Sequence, residues 1–290
     1  MRARFTATVE RLLRDDPRSA LVLADIGPVH LARDPEVGPR VLNVGIREQA
    51  LVGVASGLAL AGLRPVVHSY APFLVERPYE QLKLDLSHQD LGAVLVSVGA
   101  SHDAASEGRT HQCPADVALV SALPGWTVHV PGHPDEAEAL LRSAAAGDDR
   151  QYLRLSARPN PEAWPADGSL HLVREGGGCA VLAVGPALAP TLEAVAGLDV
   201  AVAYTATPTP LDAPGLRALV DGRDRLLVVE PYLEGSTAPQ VVAALAGRPV
   251  GLAFVGVDRR EVRRYGTPED HDRVHGLDAA GIRRRVLTFR

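Results

Sequence analysis

Cysteine is scarce in this chain, since Cys113 and Cys179 are the only two among 290 residues. Two cysteines cannot make a four-cysteine metal site, and they do not resemble a disulfide framework. No apolar run reaches about 18 residues without a charge or a proline, so no membrane span is predicted. The amino-terminal residues lead into an amphipathic pattern and not into an apolar signal core. We therefore expect a protein of the reducing cytoplasm.

An excess of positive charge is also lacking. Lys and Arg number 30 against 35 for Asp and Glu, which gives a formal net charge of -5. This balance argues against nucleic acid or an anionic membrane as the main partner. Hydrophobic residues make up 46% of the chain, which is too many for a disordered protein, and the length suffices for two ordinary domains.

Several catalytic and metal-binding motifs are missing. The chain has no Gly-x-Ser-x-Gly nucleophile elbow and no Gly-x-x-x-x-Gly-Lys phosphate loop. The histidines considered as metal ligands are His68, His88, His102, His111, His129 and His133. No pair among them has the helical i, i+4 spacing with an acid that a zinc hydrolase motif requires. We therefore expect no metal-binding residues.

Short apolar strands alternate with helical patterns along the chain. Strands are predicted at 21–24, 41–44, 65–70, 93–98, 126–130, 152–155, 179–184, 200–204, 225–229 and 250–255. Helices are predicted at 3–15, 46–61, 73–87, 116–123, 135–145, 188–196, 211–219, 236–245, 269–274 and 279–288. This rhythm predicts an α/β fold with mostly parallel sheets covered on both faces. The proline-rich stretch 157–170 predicts a boundary between domains at 1–160 and 170–290.

One acid opens an otherwise apolar helix, in the stretch Val44-Gly45-Ile46-Arg47-Glu48-Gln49. Apolar and small residues occupy every side of this helix, which is therefore predicted to be mostly buried. The helix dipole favours a carboxylate in the first turn, but a buried one still needs a hydrogen-bonding partner or a proton. Glu48 is thus a candidate functional residue, and the alternative is a solvated first-turn acid.

The loop 99–114 carries two histidines, two acids and an arginine: His102, Asp103, Glu107, Arg109 and His111. Loops of this length inside a compact domain are usually functional or disordered. Histidine titrates near neutrality and arginine binds phosphate or carboxylate, so the loop could provide proton transfer and anion binding. The alternative is a solvated polar loop with chance histidines.

Two aromatic residues stand six apart near this loop, in a chain with only 4% aromatics. Phe73 and Tyr79 are each preceded by a proline and could form a stacking platform for a planar ligand. The alternative is a core phenylalanine and a tyrosine that caps the surface.

Taken together, these stretches resemble the thiamine-diphosphate enzymes of the transketolase and 1-deoxyxylulose-5-phosphate synthase group. The matching stretches are Ala24-Asp25-Ile26, Asn43 to Gln49, Gly57 to Gly62, Tyr70 to Leu74 with Tyr79 to Gln81, and Glu107 to Gln112. They run in family order over residues 20–160. The resemblance implies a pyrimidine-binding domain at 1–160 and a transketolase carboxy-terminal-like domain at 170–290, both doubly wound.

The resemblance also implies residue roles. Glu48 would hydrogen-bond a ring nitrogen of the aminopyrimidine and so help to deprotonate the thiazolium carbon. Phe73 and Tyr79 match positions that line the pyrimidine pocket, and Asp25 and Ile26 are further cofactor-binding candidates. His111 matches an active-site histidine that transfers protons to and from substrate hydroxyls.

The substrate-binding candidates that follow from the resemblance are His102, Glu107, Arg109 and Arg158. Glu107 stands where transketolases have an Asp that contacts a sugar hydroxyl. His102 and Arg158 lie near positions that bind a substrate phosphate, and Arg109 offers a further anion contact.

One expected motif is absent, because the chain has no Gly-Asp-Gly to hold the diphosphate and its metal. The resemblance therefore implies the carboxy-terminal subunit of a split transketolase, with a partner chain that supplies the diphosphate domain and Mg²⁺ or Ca²⁺. The expected assembly is a heterotetramer with two copies of each chain. The alternatives are the beta subunit of a 2-oxoacid dehydrogenase and a non-catalytic regulatory paralogue.

Overall fold

The first sheet holds six parallel strands. The computed structural model describes residues 1–290, and the strands are β1 (Ser19–Leu23), β2 (Val41–Asn43), β3 (Arg64–Tyr70), β4 (Val94–Val98), β5 (Trp126–His129) and β6 (Arg150–Arg154). Their order in the sheet is β2-β1-β3-β4-β6-β5, and every neighbouring pair is parallel. All residues of β1 and β4 are buried, which agrees with their mostly apolar sequences, because parallel sheets are covered on both faces.

Helices cover this sheet. They are α1 (Arg2–Asp15), α2 (Glu48–Leu60), α3 (Tyr79–Gln81), α4 (Asp116–Ser121) and α5 (Pro134–Ala146). Helix α1 packs against α5 and buries Phe5, Val9, Leu12 and Leu13, the apolar stripe that the sequence predicts.

The helix predicted at 73–87 is not a regular α-helix. Two π-helical segments, Pro72–Glu76 and Leu82–His88, flank the short α3. In the first segment the N–H of Arg77 donates to the carbonyl of Pro72, five residues back, at 3.0 Å. Pro78 follows and has no N–H to donate, so the regular bonding pattern cannot run through this point. Such π-turns are frequent at functional sites.

The second sheet holds five strands in the order β11-β10-β8-β9-β7. They are β7 (His171–Arg174), β8 (Ala180–Val184), β9 (Ala201–Thr205), β10 (Arg225–Leu233) and β11 (Gly251–Val257). Strand β7 is antiparallel to β9, and the others are parallel. The sequence predicted no strand at β7, which is a short, half-exposed edge strand that follows the proline-rich stretch directly. The helices of this part are α6 (Leu188–Ala194), α7 (Ala213–Leu219), α8 (Ala238–Ala244), α9 (Pro268–His275) and α10 (Ala279–Phe289).

The two sheets share buried apolar clusters, since each cluster contains residues from both. Backbone hydrogen bonds also join the two parts, from Val128 N to Thr209 O and from Val130 N to Ala206 O, each at 2.7 Å. Residues 155–170 contain neither helix nor strand, and the domain boundary within them stays a prediction. None of the helices combines the length and the apolar character needed to cross a membrane.

Candidate active site

The site lies where strands β1 and β2 end and helix α2 begins. Asp25 follows β1 in a left-handed conformation with φ of 54°, and its N–H donates to Asn43 Oδ1 at 3.0 Å. Asn43 Nδ2 donates in turn to Asp25 Oδ1 at 2.7 Å. This amide–carboxylate pair joins the carboxyl ends of two parallel strands, where open α/β sheets bind their ligands.

Gly27 allows the turn after Asp25 to approach the sheet closely. It has φ of +86°, and a Cβ built there would lie 2.5 Å from His68 Cδ2. Both the left-handed backbone and the close contact favour glycine. His68 is fully buried on β3, and burial lowers the pKa of its imidazole to about 4.

Glu48 is the first residue of α2, and its side chain is 2% exposed. The predicted helix began at Ile46, two residues too early, and Ile46 is instead 71% exposed beside the cleft. Glu48 Oε2 accepts a charge-assisted hydrogen bond from Arg77 Nη1 at 2.7 Å. The buried carboxylate thus has a cationic partner and lies at the positive end of a helix dipole, two interactions that favour a negatively charged group.

A cleft of about 230 Å³ contains Glu48 in its wall. Its lining residues are Arg2, Ala24, Asp25, Ile26, Ile46, Glu48, Ser69, Tyr70, Phe73 and His111. The structure therefore brings together five of the candidate residues: Asp25, Ile26, Glu48, Phe73 and His111. The cleft offers a carboxylate, an imidazole and apolar walls within one concave site, the usual make-up of a small-molecule site.

His111 belongs to an aromatic cluster in this cleft. Its ring lies edge-to-face with Phe73 at a centroid separation of 4.9 Å, and with Tyr70 at 5.2 Å. The other side of the ring faces Glu107, whose Oε2 lies 3.3 Å from His111 Nε2. Arg77 Cζ stacks over Phe73 at 4.1 Å, so the same arginine contacts both the acid and the aromatic wall. These contacts orient an imidazole that can exchange protons with a ligand in the cleft.

Tyr79 does not line this cleft. Its hydroxyl donates to the carbonyl of Leu119 at 3.0 Å, and its ring packs against the buried cluster of the first sheet. Phe73 lines the cleft and Tyr79 does not, so the expected stacking platform does not form between them. Phe73 contacts Tyr70 instead, with centroids 6.1 Å apart and planes at 74°.

The four substrate-binding candidates are spread over several cavities. Glu107 lies next to His111 and lines a cavity of about 440 Å³. Arg109 is 54% exposed, and its Nε lies 3.1 Å from Glu261 Oε1. Arg158 and His102 line a third cavity of about 270 Å³, where Arg158 is ion-paired with Asp272. No single cavity contains all four, and their roles stay predictions.

His102 is buried, and its ring stacks on His271 at 4.3 Å and on His275 at 5.2 Å. Burial and the neighbouring positive charges lower the pKa of its imidazole to about 3. The expectation of no metal site did not include His271 and His275. Their i, i+4 spacing within a predicted helix is a sequence signal that could have identified them.

The sequence interpretation also missed Arg77 and Arg2. Arg77 lies 29 residues after its partner Glu48, with no motif that links the two. Arg2 is the first residue of α1, and the packing of this helix against α5 and β1 brings it to the cleft. Neither position carries a local sequence signal of its own.

Comparisons with known proteins identify the family of this chain. Residues 1–160 match the model of the family described as transketolase, pyrimidine binding domain. The chain is 48% identical to an uncharacterised 33.6 kDa protein in the fasciation locus of Rhodococcoides fascians, over 98% of this chain and 93% of that one. It is 28% identical to one subunit of the apulose-4-phosphate transketolase of Actinobacillus succinogenes, over 85% of this chain and 84% of the relative.

A longer relative and one solved structure complete the comparison. The 1-deoxy-D-xylulose-5-phosphate synthase of Thioalkalivibrio sulfidiphilus is 33% identical over 84% of this chain, which spans only 39% of that enzyme. One solved structure is described as a split gene transketolase, inactive beta4 tetramer. This chain superposes on it with a TM-score of 0.85 and 24% sequence identity, over 99% of this chain and 97% of the other. That likeness confirms the predicted α/β architecture with two mostly parallel sheets. The chain therefore belongs to the transketolase family.

Proposed function

We propose that this chain is the carboxy-terminal subunit of a two-component transketolase. The complex would transfer a two-carbon ketol unit from a ketose donor to an aldehyde or related acceptor, using thiamine diphosphate. The observation that carries the proposal is the buried carboxylate of Glu48 in the wall of a narrow cleft that also contains Phe73 and His111.

The residues of the cleft fit the aminopyrimidine end of thiamine diphosphate. Ile26, Ile46 and Phe73 supply apolar surface for a planar ring, and Glu48 supplies a hydrogen-bonding carboxylate within the same 230 Å³. When bound, thiamine diphosphate supplies a carbon nucleophile and an electron sink for the transferred unit. This chemistry requires a protein group that promotes loss of the proton from the thiazolium carbon.

Glu48 is the group we assign to that activation. Arg77 occupies only Oε2, so Oε1 can share a hydrogen bond with a ring nitrogen of the pyrimidine. The low solvent exposure of Glu48 strengthens such a bond relative to water. Arg77 acts on Glu48 as a positioning residue, because its hydrogen bond and its stacking on Phe73 hold both walls of the cleft.

His111 is the proton-transfer residue that we assign to the substrate. The edge-to-face contacts with Tyr70 and Phe73 orient its ring, and Glu107 faces Nε2. A substrate hydroxyl beside Nε2 would therefore meet an imidazole, with the carboxylate of Glu107 next to it. Arg109 and Arg158 would contact a substrate anion only after release from Glu261 and Asp272, so Glu107 is the first substrate contact to test.

A partner chain would complete the site. This chain has no Gly-Asp-Gly motif, and Ile46 at the cleft is 71% exposed. The partner would hold the diphosphate together with Mg²⁺ or Ca²⁺, in a cytoplasmic heterotetramer with two copies of each chain. The names of two matched proteins support this arrangement, because one is a single subunit of a transketolase and the other an inactive tetramer of beta chains. We expect the isolated chain to be inactive.

Reconstitution tests the proposal. The purified chain is mixed with a partner that carries Gly-Asp-Gly, thiamine diphosphate and Mg²⁺, and ketol transfer is measured with a panel of ketose donors and aldehyde acceptors. The wild-type mixture should turn over only when both chains and the cofactor are present. Glu48→Gln should lower kcat by about 10²–10⁴-fold, the range for loss of a positioned acid–base group.

Glu193→Gln is the matched control, because Glu193 is exposed on α6, far along the chain from the cleft residues, and should leave kcat unchanged. Circular dichroism and co-purification with the partner check that Glu48→Gln still folds and assembles. Full turnover by the Glu48→Gln complex would contradict the role of Glu48. Absence of cofactor-dependent transfer with every donor would contradict the transketolase assignment itself.

A further inference from the structure

We propose that His102, His271 and His275 form a binding site for a divalent transition-metal ion of the Zn²⁺ class, which ties the loop 99–114 to helix α9. This site shares no residue with the cleft around Glu48. Its existence does not depend on the proposed ketol transfer.

The three imidazoles converge in the folded chain from two distant segments. His271 and His275 lie one turn apart on α9, and His102 comes from the loop after β4. All three are buried, and one ring nitrogen from each lies within 4.8 Å of those of the other two. Tetrahedral zinc with nitrogen ligands at about 2.0–2.1 Å needs nitrogens roughly 3.4 Å apart. The three ring planes lie within 17° of one another, and the lone pair of an imidazole nitrogen lies in the plane of its ring. Side-chain rotations must therefore turn the rings towards one point and bring the nitrogens more than an ångström closer.

The same rings carry an unusual number of unpartnered nitrogens. Both ring nitrogens of His102, both of His275 and Nδ1 of His271 are buried without a hydrogen-bond partner. A neutral imidazole has one N–H donor and one lone pair, so His102 buries both groups unused. Buried polar groups in native proteins are nearly always satisfied, and three neighbouring rings with this deficit indicate a missing ligand. A metal ion would accept the lone pairs directly.

A hydrogen bond orients the ring of His271 as a metal ligand, and a carboxylate lies beside the ring of His275. His271 Nε2 lies 2.8 Å from the carbonyl oxygen of Tyr265, which can only accept, so Nε2 carries the proton and Nδ1 keeps its lone pair. His275 Nδ1 lies 3.2 Å from Asp258 Oδ1, at ion-pair distance but outside hydrogen-bonding geometry, which leaves Nε2 for the metal. Metal-bound histidines usually donate their other nitrogen to a carbonyl or a carboxylate, as His271 does here.

The donor set selects the class of ion. Three imidazole nitrogens suit Zn²⁺, Cu²⁺ or Ni²⁺, whereas Mg²⁺ and Ca²⁺ require oxygen ligands. Nearby cations do not prevent binding, because each already has a carboxylate partner. Arg154 is bonded to Asp116, and Arg158 lies against Asp272 and Asp103.

A metal here would hold the loop in place. His102 lies nine residues before His111, so one end of the loop would be fixed to α9 while the other end lines the cleft. His102 and His275 also line a cavity of about 230 Å³, where water or a small ligand could take the fourth coordination position. Three protein ligands with one open position are the pattern of zinc sites that exchange a ligand.

Metal titration of the full chain tests the site. The protein is treated with EDTA, desalted, and titrated with Zn²⁺ in competition with a chromophoric chelator. We expect one Zn²⁺ per chain with a Kd below about 1 μM, and a rise in Tm of several degrees on binding, because an ion bound only by the native state stabilises it. A Kd above about 100 μM would overturn the proposal.

Two substitutions locate the ion. His102→Phe keeps the stacked ring and removes both nitrogens, and it should weaken Zn²⁺ binding at least 100-fold. His88→Ala removes an exposed histidine elsewhere and should bind Zn²⁺ like the wild type. Wild-type affinity in His102→Phe, or loss of affinity in His88→Ala, would overturn the assignment.

A measurement on the wild-type chain covers the case in which His102→Phe does not fold. Co²⁺ replaces Zn²⁺, and the visible spectrum is recorded. Strong absorption typical of four-coordinate Co²⁺ is expected for three imidazoles and one further ligand. The weak spectrum of octahedral Co²⁺ would contradict the site, whatever the outcome for the variants.

Discussion

Asp116 and Arg154 form an ion pair inside the protein, and breaking it should be costly. Their side chains are 0% and 1% exposed, and Arg154 Nε donates to Asp116 Oδ2 at 2.7 Å. Tyr152 donates its hydroxyl to the same oxygen at 2.7 Å, and Arg154 Nη2 donates to Ser101 Oγ at 2.6 Å. The network connects β6 and α4 to the start of the loop 99–114.

Removal of one partner leaves the other charge buried without compensation. For Asp116→Leu and for Arg154→Met we therefore expect a loss of about 3–5 kcal/mol in the free energy of unfolding. Replacement of both residues removes both charges, and such swaps in other proteins are often nearly neutral. The double variant Asp116→Leu/Arg154→Met should thus be more stable than either single variant, with a coupling energy of at least about 2 kcal/mol.

Urea unfolding of the four proteins, followed by circular dichroism, measures this cycle. With an m-value of about 3 kcal/mol/M, each single substitution should lower the midpoint by roughly 1–1.7 M. Asp221→Ala is the control, because Asp221 forms only an exposed pair with Arg248 at 3.9 Å and should cost less than about 1 kcal/mol. Single losses below about 1 kcal/mol, or strictly additive effects, would refute the reasoning.

Three further predictions concern stability. Burial raises the pKa of Glu230 from its ordinary value of 4.5 to about 7, so the native state keeps a proton that the unfolded chain loses near pH 4.5. Stability should therefore fall by about 3 kcal/mol as the pH rises from 4.5 to 7. Urea unfolding at pH 5 and pH 8 should show this fall in the wild type and not in Glu230→Gln; equal falls would contradict it. His68 has a pKa lowered to about 4, so the native state binds fewer protons than the unfolded one and should lose about 3 kcal/mol as the pH falls from 6.5 to 4. The same assay on His68→Gln should show a shallower acid loss, and an unchanged slope would be evidence against this assignment. Gly92→Ala would place a Cβ 1.7 Å from the backbone oxygen of Asp148. At roughly 3 °C per kcal/mol, this substitution should lower Tm by more than 10 °C or prevent folding. At Gly57 in α2 a Cβ meets nothing within 4 Å, so Gly57→Ala should raise the free energy of unfolding by about 1 kcal/mol. A higher Tm for Gly92→Ala than for the wild type would disprove the first part.

Local sequence patterns predicted most of the fold. The apolar stripe of α1 and the mostly apolar runs of β1 and β4 depend on residues a few positions apart, and the structure has a helix and two strands there. The break in the helix at 73–87 was missed, because a single Pro78 shifts the bonding pattern to π-turns without altering the apolar spacing. The edge strand β7 was missed because its pairing with β9 is a long-range contact.

For the site, the sequence by itself identified Glu48 and His111 as candidate functional residues. Glu48 was indicated as an acid that opens an apolar helix, and His111 as part of a long polar loop. The family resemblance pointed to both. Only the tertiary structure decided their surroundings. The Arg77 partner of Glu48, the departure of Tyr79 from the cleft and the stack of His102 on α9 all depend on how separate elements pack. Such contacts join residues far apart in the chain. The periodicity of apolar residues in the sequence indicates which face of a helix or strand is apolar, but it does not indicate which element packs against that face.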